Sequence, residues 1–445
     1  MASIQGREHA VVATRASVGD TLRTVGTALA PVAARGVIVR RPWVMAAAER
    51  MDADHRLVRT LQRLRARYGP APLRLRVPGR SVVLVLDAAD VDDVLARSPE
   101  PFATATPEKR GALAHFQPGN VLISHGADRA DRRRFTESVL EPERPLHHLA
   151  EPMVGVVRQE AADLLGHHGL LDWDTLATTW MRIVRRVVLG DSARDDAELT
   201  ELLARLRGAA NWSLAHPGRP RLRAEFLDRL RERLATADPG SLGAVVTETP
   251  VTARTRPVEQ VPQWLFAFDP AGIATFRALA LLATHPAELD AARSELAGHG
   301  PDAPRDLPGL RAAVLESVRL WPTTPAILRE TTTPTELGGR TLPARTLVVV
   351  LTPFFHRDDQ RLPDADRFAP QLWRDGGPPT GLVPFSAGPA ICPGRSVVQF
   401  VASTFLAAVL EHHDVRLDAG PPLGPERPLP GTLDPYRLRF TVTRR

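Results

Sequence analysis

From about residue 87 to residue 235 the chain sets Leu/Val/Ala stripes against Arg/Asp/Glu faces at helical spacing, which commits it to a mainly helical fold. A longer apolar run over about 258–284 predicts another helix, stopped by His285-Pro286, with Pro270 inside it. A proline there removes a hydrogen bond and is expected to kink the axis. Further helices are predicted over about 310–320 and 396–411. Strands are few. Residues 73–77 alternate apolar and polar, turn at Pro78-Gly79 and continue into 81–86, the signature of a hairpin. Residues 347–351 and 437–443 are two more short strands, and 239–256 and 357–384 read as loops. The expected class is mainly α: a single large helical domain with small β-sheets near its N- and C-terminal parts. Residues 1–40 form a lead-in segment and 41–445 the domain, the rival being a split within 236–257.

Composition narrows the function classes. Of 445 residues, 43% are hydrophobic and 24% charged, which supplies an ample core and excludes disorder, collagen and a coiled-coil rod. The single cysteine excludes an intrachain disulfide and a cysteine-only zinc site, and fits a reducing, cytoplasmic compartment. Lys109 is the only lysine, so the basic excess is almost all arginine and reads as compositional. A net charge of +6 over this length does not argue for nucleic acid. The apolar run at 26–39 is broken by Arg35 and is shorter than the ~20 residues of a spanning helix, so no transmembrane anchor is expected there. A peripheral membrane contact by that run is the lesser alternative.

The lone cysteine lies in a glycine-punctuated loop. The stretch runs Phe385-Ser386-Ala387-Gly388-Pro389-Ala390-Ile391-Cys392-Pro393-Gly394-Arg395, and an apolar helix follows. A thiolate at a helix N-terminus is stabilised by free amides and the helix dipole, and small flanking residues let the backbone approach something large and flat. Taken alone, a lone cysteine is more often a small buried hydrophobe.

The spacing Phe385, Gly388, Cys392, Gly394 resembles the haem-thiolate signature of the cytochrome P-450 family. Three further segments resemble that family in order and spacing. Glu316 and Arg319 form Glu-x-x-Arg, 76 residues before the cysteine, similar to the buried pair that holds the loop behind the haem. The family's third basic partner falls at Leu372, which leaves that triad incomplete unless Arg367 or Arg374 substitutes. Ala271-Gly272-Ile273-Ala274-Thr275 resembles the oxygen-side motif, with Gly272 making room and Thr275 hydrogen-bonding bound oxygen. Its usual acid is replaced by Ala274, and Asp269 is the nearest candidate to stand in. Arg129 and Arg133 match the family's early-helix propionate motif with Arg129 in the aromatic position, and Arg329 resembles the other propionate arginine. The family's basic residue two before the cysteine is absent, since Ala390 stands there.

The resemblance implies a haem b (iron protoporphyrin IX) with Cys392 as metal ligand, held also by Phe385, Gly388, Gly394, Glu316 and Arg319. It implies a mono-oxygenase that inserts one oxygen atom into a lipophilic or aromatic small molecule. Electrons would come from a separate ferredoxin or flavodoxin with its reductase, since no nucleotide-binding segment fits the remaining length, and Arg395 is a candidate contact. Substrate contacts are expected from 102–116, 266–271 and 324–328. Two alternatives stand: a peroxide-driven or ring-coupling haem enzyme, prompted by Ala274, and a non-catalytic haem-thiolate-like partner protein, prompted by Leu372.

Overall fold

The apolar stripes meet in two buried cores. One runs through the helices and takes residues from Leu113 to Val442, on both sides of 236–257; the other lies under the N-terminal sheet and includes Leu57, Val83, Leu95 and Val350. The computed structural model describes residues 13–36, 38–167, 169–211, 218–298, 300, 302–374 and 377–445, so 1–12 and 37 of the lead-in segment lie outside the described residues.

Eight helices position the site: α1 (Ala88–Ala96), α2 (Pro107–Leu113), α3 (Gly126–Leu140), α4 (Ala150–His167), α5 (Trp173–Leu189), α6 (Val261–Thr284), α7 (Pro308–Leu320) and α8 (Arg395–Leu410). α6 packs against α5, α7 and α8, and α4 against α5 and α8. Residues 271–282 of α6 are all buried, as expected of a helix that is apolar on every side. Among the described residues, α6 with the turn before it is the one long stretch apolar enough to cross a membrane, and most of it is covered by other helices. α6 continues through Pro270. α5 starts at a capping box in which Asp172 accepts from the Thr175 N–H.

Among the described residues, ten strands form three sheets. The largest runs β1 (Leu73–Leu75), β2 (Val82–Leu84), β8 (Leu347–Leu351), β5 (Ala326–Thr331), β3 (Phe102–Ala103). The predicted hairpin forms, with Leu73 opposite Leu84, and β2 then pairs in parallel with β8, Val83 opposite Val348. A smaller sheet orders β4 (Leu170–Asp172), β10 (Arg439–Arg444) and β9 (His413–Ala419), and β6 (Thr335–Leu337) pairs with β7 (Arg340–Leu342). The first sheet therefore joins an N-terminal hairpin to the segment after α7, rather than staying near one end of the chain. Its effect is to bring Phe102 opposite Thr331, which carries the chain before α2 up to β5.

One predicted loop is corrected. Within 239–256 a helix spans Leu242–Glu248, capped by the Ser241 hydroxyl on Ala244 N, with Leu242 and Val246 buried. The Gly/Pro/Thr composition around it masks a short helical stripe: Ser at the N-cap and two apolar residues four apart. The described part of the lead-in packs onto the rest. Arg35 holds Asp54 through two buried bonds of 2.7 and 2.6 Å.

Candidate functional site

The cysteine loop is built by close approaches that only small residues allow. Cys392 N donates to Phe385 O at 2.9 Å, which closes the loop. Gly388 has φ +64, and a Cβ there would lie 2.3 Å from Leu95 O of α1, so both conformation and space demand glycine. Gly394 precedes α8, and its N–H donates to the Cys392 sulfur. Arg133 of α3 donates Nη1 to Ile391 O at 2.7 Å and Nε to Glu137 at 2.6 Å, bracing the residue before the cysteine. Burial pushes the Cys392 thiol up, opposed by the Gly394 N–H and by the charges of Arg133 and Arg395. A coordinated metal ion would deprotonate such a thiol outright.

Beside the loop lie cations that lack carboxylate partners. Arg329, 3% exposed, donates Nε to Ser98 Oγ at 2.8 Å and Nη2 to Ser386 Oγ of the cysteine loop at 3.3 Å. Arg129 has a buried Nε with no hydrogen-bond partner. Lys109 of α2 reaches across to Leu328 O at 3.3 Å, next to Arg329. None of these three makes an ion pair among the described residues, whereas most other arginines of the interior do. Burial, then Arg129, brings Arg329 down to about 10; burial, then Arg329, lowers the Lys109 amine well below its usual range. Buried like charges of this kind are costly unless something anionic joins them. A flat group that brings two carboxylates to the cations and a metal to the thiol fits this donor set, and a haem has that composition. No local pattern marks Ser98 or Lys109 as part of the site; the pairing of β3 with β5 brings the chain that carries them to Arg329, and Ser386 arrives on the cysteine loop.

Glu316 and Arg319 are both fully buried on α7 and bond through 2.6 and 2.8 Å contacts. The carboxylate also accepts from Ala369 N at 2.9 Å and from the Trp373 indole N–H at 2.7 Å. The guanidinium also donates to the carbonyls of His356, Asp364, Ala365 and Arg367. The place left open at Leu372 is filled by Trp373, while the Arg367 side chain points to Pro425 O. A buried pair satisfied on every side avoids the penalty of an incomplete one.

On α6, Thr275 is fully buried and donates Oγ1–H to Ala271 O at 2.8 Å. Gly272 faces α5: a Cβ there would lie 2.9 Å from Trp180 Cδ1, so its size answers to helix packing. Trp180 in turn donates its indole N–H to Phe268 O at 2.7 Å. Asp269 pairs with Arg207 at 2.5 Å and not with Thr275, and the Arg207 guanidinium sits 4.4 Å from the Phe266 ring centre. The apolar segments expected around a substrate do meet, with Phe116 edge-on to Phe266 at 6.1 Å. A second cluster with metal-like spacing, Glu141, His147 and His148, carries no such role. His147 spends Nε2 on Val139 O and Nδ1 on Leu149 N.

Comparisons with known proteins point one way. A family model described as Cytochrome P450 matches residues 267–438. A cyclooctat-9-en-7-ol 5-monooxygenase of Streptomyces melanosporofaciens is 30% identical over 234 residues, 48% of each chain. A mitochondrial 1,25-dihydroxyvitamin D(3) 24-hydroxylase of Mus musculus is 30% identical over 25% of this chain and 22% of its own. The chain thus spans half or less of the length of these curated relatives. A zebra fish cytochrome P450 solved with abiraterone superposes with a TM-score of 0.68 at 18% identity, covering 86% of this chain and 98% of the other. Retinoic acid bound cyanobacterial CYP120A1 gives 0.67 at 18% identity, over 86% and 94%. At that identity the likeness shows the fold.

Proposed function

We propose that the chain, whose residues 267–438 match the Cytochrome P450 family model, is a haem-thiolate mono-oxygenase acting on a lipophilic or aromatic small molecule. The observation that carries the reading is a set of cations without carboxylates, the buried Arg329 and the half-buried Lys109 and Arg129, beside the glycine-bracketed Cys392. The family's haem b, when bound, supplies the oxidising chemistry, and a cysteine thiolate ligand favours O–O cleavage.

The chain's own residues do the rest. Cys392 would supply the sulfur ligand to the haem iron, held by the Gly394 amide and by loop contacts to α1 and α3. Arg129, Arg329 and Lys109 receive the propionates. Glu316 and Arg319 tie α7 to the chain between His356 and Trp373, which steadies the ground on which the cysteine loop stands. Thr275 donates its hydroxyl hydrogen bond to Ala271 O, so its oxygen lone pairs remain to accept a hydrogen bond at the oxygen-binding side. Phe116 and Phe266 form an apolar wall for the substrate and exclude water.

Electrons come from a ferredoxin or flavodoxin with its reductase, docking on the face that carries Arg395. The protein works in the cytoplasm; exposed Val18, Leu22 and Trp43 near its N-terminus would serve a peripheral membrane contact. One observation favours the peroxide-driven alternative: Ala274 replaces the acid beside Thr275, and Asp269 is tied to Arg207. The test compares product formation with NAD(P)H plus a redox-partner pair against hydrogen peroxide alone. Faster turnover with the partners supports the mono-oxygenase; turnover with peroxide only replaces it by the alternative.

A further inference from the structure

Arg277 lies two residues beyond Thr275 on α6 and is 4% exposed, yet it makes no ion pair among the described residues. Its Nη1 donates to Trp321 O at 3.1 Å and its Nη2 to Leu433 O, and its buried Nε has no partner. Arg40, from the segment before the first-core helices, also holds only carbonyls: Gly36 O at 2.8 Å and Thr323 O at 2.5 Å. Both guanidiniums line one cavity of about 20 Å³, together with Arg35, Asp54, Ile273, Trp321, Thr432 and Tyr436.

The nearby carboxylates are already engaged. Asp54 gives both oxygens to Arg35 and accepts from Thr432 Oγ1 at 2.9 Å; Asp434 accepts from Tyr436 N at 3.1 Å. Burial with the neighbouring Arg35 brings Arg40 down to about 10, and burial with Arg40 does the same to Arg277. Arg277 brings a buried guanidinium with an unmet Nε–H to this hollow and Arg40 a half-buried one, and because an unmet buried donor is costly the hollow suits an anion. The volume sets the class of ligand. A hollow of about 20 Å³ suits a small anion such as a halide better than a larger carboxylate-bearing molecule.

We propose that this cavity is a chloride-sized anion site, lined by Arg40, Arg277 and Tyr436. It clamps α6 to the N-terminal segment and to the loop before β10. The site is separate from the cation set beside Cys392, and nothing in it depends on the haem reading.

The test uses the full-length holoprotein. Crystals soaked in bromide should show an anomalous peak between the Arg40 and Arg277 guanidiniums. Melting in sodium chloride should exceed melting in sodium gluconate at equal ionic strength, with a saturable rise of a few degrees, and Arg40→Gln should lose that rise. No bromide peak at the cavity overturns the proposal, as does a wild-type melt indifferent to the halide. A rise that persists undiminished in Arg40→Gln also overturns it, because the salt then acts elsewhere. Should Arg40→Gln fail to fold, the bromide peak in the wild type decides alone.

Discussion

Trp373 donates its indole N–H to Glu316 Oε1 at 2.7 Å, one residue past the position where the family places an arginine. The carboxylate thereby has four donors for its two oxygens, and Leu372 leaves no vacancy behind it. Trp373→Phe keeps the ring and removes the donor. We expect a loss of about 1–3 kcal/mol from an unmet buried acceptor, read by denaturant unfolding of the holoprotein. Unchanged stability would mean that the indole bond carries none of the pair's support.

Lys109 should behave oppositely with and without cofactor. Lys109→Met removes one of three like charges, so the haem-free protein should be no less stable than wild type. In the holoprotein the same change removes a charge-assisted bond worth about 1.5–3 kcal/mol, so haem should leave about tenfold faster or more. Haem transfer to an excess of acceptor protein, with melts of both forms, checks the pair of outcomes. Equal destabilisation of both forms would make Lys109 a packing residue.

Thr275 and Asp269 should separate. Thr275→Ala should cut product formed per NAD(P)H consumed by an order of magnitude or more, with reduced oxygen released instead, about the scale of a lost proton-handling group. Asp269→Asn breaks a partly exposed pair with Arg207, worth ~1 kcal/mol or less, and should leave that ratio near wild type. A large drop for Asp269→Asn would return it to proton delivery.

Acid should loosen the contact behind α7. Burial alone would raise the Asp366 carboxyl, but the His55 hydrogen bond and the Arg357 charge outweigh it and hold it at about 2. Its folded value lies below the ordinary 3.8, so its contribution is full above that pH and is lost as pH falls through about 2. Asp366→Asn should therefore cost stability at pH 6 and little at pH 2, seen in unfolding curves at the two pH values.

How much of this was legible depends on sequence distance. The cysteine loop and Glu-x-x-Arg could be read because each is a local pattern: Gly388 must be glycine where α1 presses on it, and Glu316 and Arg319 sit one turn apart. Lys109 could not, since 220 residues separate it from Arg329 and only β3–β5 pairing joins them. Trp373 was hidden because an indole can do an arginine's job from a neighbouring position only in one backbone path. Gly272 shows the converse, a motif glycine whose size the packing of Trp180 explains. The Leu242–Glu248 helix was lost to composition, because its flanks carry turn residues.

The central claim is that Cys392 ligates a haem iron through sulfur. The most direct measurement is the absorption spectrum of the reduced, CO-bound protein expressed with ample haem. The account predicts the red-shifted Soret band of a thiolate-ligated haem, and its disappearance in Cys392→Ala. Protein that binds no haem, or a shifted band that survives Cys392→Ala, would contradict it.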